Sequence, residues 1–164
     1  MKHHAAPWGK LLVGMTAFST LVCVGVSVAI ALNPAEGPGV ERITRAAAIL
    51  PMLILVIALF FMVRGYIVTA DEIIVQRLLW STRFERTKLQ SATIEPDALR
   101  GSIRLFGNGG LFSFTGVFRS PKLGRYRAYV TDPARTVILR FAERIAVVSP
   151  EDPDAFVRDV SPRR

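Results

Sequence analysis

The chain has 164 residues, room for one full-sized domain and little more. Its 21 Lys and Arg against 13 Asp and Glu give a formal charge of +8, yet 51% of its residues are apolar. A small basic chain points first to nucleic acid, but that apolar share requires the basic and apolar residues to be segregated, and they are. One cysteine, Cys23, excludes an internal disulfide framework and a Cys-based zinc site. The two histidines, His3 and His4, lie in the first four residues, which excludes chemistry needing a histidine in the main domain and leaves a metal site there without further ligands.

Residues 1–10 read as a cytoplasmic tail. Leu11 to Leu32 is then a run of 22 uncharged residues. At about 1.5 Å per residue it is long enough to cross a hydrocarbon core of ~30 Å. A rival reading makes it a secretory signal with Ala29-Ile30-Ala31 as cleavage site, although signal cores are usually shorter. Residues 33–45, with Pro34, Gly37, Pro38 and Gly39, form a turn too short to fold alone. Ala46 to Val63 is a second uncharged run, with Pro51 expected one turn inside its start. Lys2 and Lys10 before the pair, and Arg64, Arg77 and Arg83 after it, outnumber Arg42 and Arg45 in the loop. That bias puts both termini in the cytoplasm and the loop outside, in a multi-pass protein of the cell inner membrane. Ser19 and Cys23, and Gly25 and Ala29, repeat at a spacing that suits contact between two membrane helices.

From Gly65 the texture changes to short alternating runs broken by turn residues. Tyr66–Ala70, Glu72–Leu79, Thr82–Leu89 and Ser91–Glu95 read as four strands. Arg125–Thr131, Arg135–Phe141 and Arg144–Val148 read as three more, rich in β-branched and aromatic residues. Ser149 is placed to cap a helix whose first turn holds Pro150, Glu151 and Asp152, with Phe156 and Val160 on one face. The expected fold is a membrane α-helical hairpin plus a small all-β domain over 65–160, seven strands in a barrel or sandwich capped by a C-terminal helix.

Two stretches carry a family resemblance. One is Arg135-Thr-Val-Ile-Leu-Arg-Phe followed by Ile145-Ala-Val-Val-Ser-Pro-Glu-Asp-Pro-Asp-Ala-Phe156. The other is Gly109-Gly110-Leu-Phe-Ser-Phe-Thr-Gly116 followed by Gly124-Arg-Tyr-Arg-Ala-Tyr129. Together with two preceding spans they resemble the bacterial pleckstrin-homology-like domain family. The resemblance implies a seven-stranded pleckstrin-homology-like barrel and no known catalysis, and no cofactor is expected. In lipid-binding pleckstrin-homology domains, basic residues around the first strand turn hold the headgroup. Here that turn is Ala70-Asp71-Glu72, which is acidic, so no residue of that site is carried over.

The expected functional segment is an insertion at 97–124. With the first residues of the next strand it holds Arg100, Arg104, Arg119, Lys122, Arg125 and Arg127 against one acid, Asp97, which is +5 of the +8. In extended chain Phe112, Phe114 and Phe118 share a face with Gly116. Cations beside an aromatic strip suit anionic lipid headgroups, at about 1 kcal/mol per Lys or Arg. They equally suit a protein partner, and the phenylalanines equally suit the barrel's own core. Gly107-Asn108-Gly109-Gly110 lacks the Lys-Ser or Lys-Thr of a phosphate loop and reads as a hairpin turn. Nucleic acid is not expected so close to a membrane anchor. The function anticipated is a non-catalytic, membrane-anchored adaptor or scaffold, contacting anionic lipid or docking a protein partner through the insertion.

Overall fold

The computed structural model describes residues 1–33, 37 and 39–161. Pro34 and Pro38 of the expected turn lie outside these residues. A strand, β1 (Lys2–Ala5), precedes two helices, α1 (Lys10–Leu32) and α2 (Val40–Phe60), each long and apolar enough to cross a membrane.

The second helix differs from expectation at both ends. It starts at Val40 because freedom from charge marks what lipid tolerates, not where a helix begins. Glu41 sits in its first turn, where a carboxylate suits the positive helix end, and pairs with Arg45 one turn on at 2.5 Å. It stops at Phe60, because Val63 already belongs to the next strand and is buried. Pro51 consequently falls mid-helix, where its missing N–H leaves the carbonyl one turn earlier without a helical partner. Along α1 the half-buried positions include Ser19, Cys23 and Ser27, whereas Gly25 and Ala29 face outward. Only the first of the two small-residue spacings lies on this stripe.

Two sheets follow. β1 pairs antiparallel with β2 (Val63–Val68), and β3 (Glu72–Arg77) and β4 (Ser81–Glu85) complete an antiparallel sheet in the order β1-β2-β3-β4. The second sheet contains β5 (Leu89–Ile94), β6 (Ile103–Gly109), β7 (Phe114–Ser120), β8 (Gly124–Val130), β9 (Val137–Phe141) and β10 (Ile145–Val148). Its order is β5-β9-β10-β8-β7-β6, with β10 parallel to β8. A helix, α3 (Pro153–Val160), ends the described chain.

Among the described residues there are ten strands in place of seven, although the class is the expected one. The additions are β1, in what read as a free tail, and the β6–β7 hairpin, in what read as an insertion. Ala5 lies opposite Gly65, so the chain before α1 and the chain after α2 meet at the same end of the helix pair. Cleavage after α1 would remove β1 from its sheet. His4 is part of that strand, 3.2 Å from Asp159 of α3 and edge-on to Phe156.

The sheets enclose one core and α1 helps close a second. Tyr66, Ile73, Val75 and Phe84 of the first sheet pack with Tyr129, Leu139 and Val148 of the second, and α3 seals them with Phe156 and Val160. Along β8 the alternate residues Tyr126, Ala128 and Val130 point the other way, into a cluster with Phe114, Phe118, Ile138 and Val147. Leu12 of α1 is fully buried in that cluster. Ser149 is not the helix cap. Asp152 fills that role, accepting from the Ala155 N–H at 2.9 Å, with Pro153 next in the first turn. Ser149 instead accepts from the Thr131 N–H at 2.8 Å and donates its own N–H to the Tyr66 hydroxyl at 3.0 Å. That hydroxyl donates to the Tyr129 carbonyl at 2.6 Å, and burial pushes its pKa up to about 12.

Candidate functional site: the surface beside the membrane helices

The start of α1 fixes the direction in which the β domain faces. The Gly9 N–H donates to the Thr131 carbonyl, just past β8, at 3.0 Å. Further along, the Thr16 hydroxyl accepts from the Phe112 N–H at 3.0 Å and reaches the Gly110 carbonyl at 3.4 Å, both in the β6–β7 turn. The rise from Gly9 to Thr16 is about 10 Å at the helical step. Two strand spacings, from β8 to β6, are also about 10 Å. The first two turns of α1 therefore run along the end of the second sheet, from the close of β8 to the β6–β7 turn. β6, whose turn α1 touches, is the edge strand of that sheet.

The end of α2 meets the same side. Its Phe61 carbonyl accepts from the Ser113 hydroxyl at 3.1 Å, and the Phe61 ring stands edge-on to Trp80 at 5.1 Å. Gly110, at φ 120°, lets the β6–β7 turn close against Met15, where a Cβ would meet the methionine's Cε at 2.7 Å. Two turns, 78–80 and 110–113, thus abut the helix ends.

Exposed apolar side chains concentrate on this side. Leu79 is 69% exposed in the β3–β4 turn, beside Leu78 and Trp80. On β6, Ile103 is 70% and Phe106 78% exposed, with Leu105 between them. Among the described residues beyond the two helices and their junctions, only Met1 and Ile94 are large, apolar and exposed elsewhere.

The predicted contact residues divide between the faces of the second sheet. Phe114 and Phe118 point into the second core and present no surface strip, because Leu12 of α1 covers that face. Phe112 sits at the hairpin turn with φ 63°, its ring 6.1 Å from that of Trp8. Arg104 of β6 pairs with Phe118 of β7 and shares the α1 side of the sheet. With Arg100 it lines a cleft of about 670 Å³ between α1 and β6, floored by Leu11, Leu99, Phe114 and Phe118. Arg119, Arg125 and Arg127 are exposed on the opposite face, where Arg119 pairs across strands with Arg125. Lys122 is engaged with Glu95.

Two features of this surface escaped the sequence reading. The apolar residues that face outward are Ile103, Leu105 and Phe106, on a strand not anticipated. Arg77 lies with its Cζ 5.1 Å from the Tyr129 ring centre and 5.5 Å from that of Trp80. Burial holds its pKa below the ordinary value, with Arg127 pushing the same way, and its buried Nε has no hydrogen-bond partner. Its placement three residues before Trp80, in a hairpin, was the available signal.

The acidic turn between β2 and β3 is on the far side. It follows Val68, at the opposite end of β2 from Val63 and the α2 junction. Two of the cations near it are engaged, while Arg158 lines the same pocket without an ion pair among the described residues. Arg86 donates to the carbonyls of Thr69, Val160 and Ser161, and Lys2 pairs with Asp159 at 2.6 Å.

Two packed sheets closed by a C-terminal helix and joined to two membrane-length helices define a pleckstrin-homology-like module on a helical hairpin. The Bacterial PH domain family matches residues 64–164, and the chain belongs to that family. Domains of this kind are in general non-enzymatic. No curated protein and no solved structure matches the chain.

Proposed function

We propose that the protein is a non-catalytic adaptor at the cytoplasmic face of the inner membrane, its β domain seated on anionic lipid with the β6 edge toward the bilayer. The observation that carries this reading is the docking of α1 on the β6–β7 turn, beside an edge strand that exposes Ile103, Leu105 and Phe106. Trp80, with Leu78 and Leu79, meets the same level from the other sheet, and tryptophan suits the membrane–water boundary. Arg119, which pairs with Ile103 on one face of this edge, and Arg104 on the other supply charge there. The cytoplasmic placement of both termini rests on the Lys and Arg distribution, and the β1–β2 pairing agrees with two ends on one side.

The test uses the full chain, because β1 completes the first sheet and Ala6 and Leu12 are part of the cores. In nanodiscs of mixed phosphatidylglycerol and phosphatidylcholine, a Trp8→Phe variant leaves Trp80 as the single tryptophan. Its fluorescence is expected to be quenched by lipids brominated near the headgroup, and the β6 amides to exchange more slowly than in detergent. An unquenched Trp80 with unchanged β6 exchange would sink the reading.

A second reading, docking of a protein partner by the same segment, has one observation of its own. β6 is a sheet edge whose outer N–H and C=O groups are open to a further strand. It predicts crosslinking of photoreactive residues at 103 and 106 to protein rather than to lipid.

A further inference from the structure

The cleft between α1 and β6 has a more specific character than the surface around it. Its volume, about 670 Å³, lies within the range of small-molecule sites. Its floor is apolar and continuous with the first turn of α1 through Leu11. Arg100 and Arg104 stand on its walls, and neither is within ion-pair distance of an acid among the described residues. Arg104 lies over Gly109, where even a methyl group would collide with its guanidinium. Glycine at that position leaves room for the arginine to reach back toward the cleft.

The charge is also informative. Asp97 is the single acid among the lining residues, so the cleft carries net +1. That matches the single negative charge of a phosphodiester better than the several charges of an inositol polyphosphate.

We propose that this cleft binds one phospholipid molecule from the adjoining leaflet, its phosphate held between Arg100 and Arg104 and its chains on the Leu11, Leu99, Phe114 and Phe118 floor. The proposal rests on the membrane-seating reading, which brings the mouth of the cleft to the headgroup level. It goes further in assigning a stoichiometric site to two arginines rather than a diffuse attraction to all six cations. A bidentate guanidinium–phosphate contact supplies the recognition.

The experiment is done in detergent, away from any bilayer, so that it stands apart from seating. The delipidated full chain is titrated with diheptanoyl phosphatidylglycerol below its micelle concentration and read by native mass spectrometry. Diheptanoylglycerol, which lacks the phosphate, and inorganic phosphate serve as the comparison probes. One saturable phosphatidylglycerol is expected per chain. Arg104→Ala and Arg100→Ala should each weaken it by about tenfold or more. Gly109→Ala should weaken it through displaced Arg104, and Lys122→Ala should leave it unchanged. Unsaturable binding, equal binding of diheptanoylglycerol, equal binding of inorganic phosphate, or undiminished binding by both arginine variants would each overturn the proposal. Cleft binding with an unquenched Trp80 in nanodiscs would retire the seating and keep the cleft. The reverse pattern would retire the cleft alone.

Discussion

Two hydrogen bonds at Thr16 hold α1 on the β6–β7 turn, and replacing that residue tests them directly. Thr16→Val keeps the branched shape and the buried methyl but removes the hydroxyl. The Phe112 N–H then loses its acceptor at 3.0 Å and the Gly110 carbonyl its donor at 3.4 Å. The second bond is long and contributes little. Leaving one enclosed amide unpaired costs about 1–3 kcal/mol, and the half-buried Phe112 belongs at the lower end of that range. A loss of ~1.4 kcal/mol is a factor of ten in the opening equilibrium. Amide exchange at Phe112 in the nanodisc-embedded chain should therefore speed up about tenfold. Exchange at Tyr129, in the middle of the sheet, should be unchanged. Thr16→Ser, which keeps the hydroxyl, should restore most of the protection. If Thr16→Val leaves Phe112 as slow as in the parent, α1 is not docked on the β6–β7 turn, and the direction assigned to β6 loses its basis.

Other consequences follow from the packing. Leu12→Ala empties a fully buried site in the second core and should lower stability by about 2–5 kcal/mol in reversible denaturation in detergent, with the loss read at Phe118 and Tyr126. Tyr66→Phe removes a buried hydroxyl that both donates to Tyr129 and accepts from Ser149, and should cost ~1–3 kcal/mol. Because burial raises the Tyr66 pKa from 10.0 to about 12, its contribution is intact below pH 10 and falls as pH rises from there through 12. Alkaline titrations of the parent should show that decline, and Tyr66→Phe should lack it. Asp159 is held below the ordinary carboxylate value chiefly by the Lys2 hydrogen bond, so its contribution is present above that value and lost as pH falls through the lowered one. Asp159→Asn should loosen β1 at neutral pH, seen as faster exchange at residues 2–5. The exposed Lys2 pair makes this a small effect.

Much of this fold was legible because each element carried a local signature. Charge-free length marked α1 to within one residue, and alternation with turn residues marked the strands on either side of the insertion. What escaped was decided by partners distant in sequence. Lys2–Ala5 has no strand pattern of its own and is a strand because β2 offers it an edge. The β6–β7 pair looked like an insertion because its glycines read as a loop. Gly107 and Gly116 lie opposite one another, and a Cβ on either would overlap the neighbouring backbone, so those glycines are what lets the two strands close. The candidate site was half visible. Its cations could be counted along the chain, but the side each faces depends on register. Phe114 and Phe118 alternate with Thr115 and Val117 as expected, yet which face is inside is set by Leu12, about a hundred residues earlier.

That distant contact also bears on how the module works. The family match begins at Arg64, but Ala6, Leu12 and Val63 lie in the cores, so the domain is built partly from its own anchor. A domain on a flexible tether samples many orientations, and its surface needs enough affinity to be recruited to the membrane. In the proposed seating, packing against α1 fixes the orientation, and the β6 edge faces one way whether or not a ligand is present. The arginines then have no recruiting task. With proximity supplied by the helices, a contact of ~1 kcal/mol per cation is enough to discriminate among lipids already at hand. This favours a protein that responds to the composition of its leaflet over one that shuttles to it. On this argument, raising salt should change which lipid occupies the cleft while leaving the seating of Trp80 in place, since Trp80, Leu79 and Phe106 are held by apolar contact that screening does not touch.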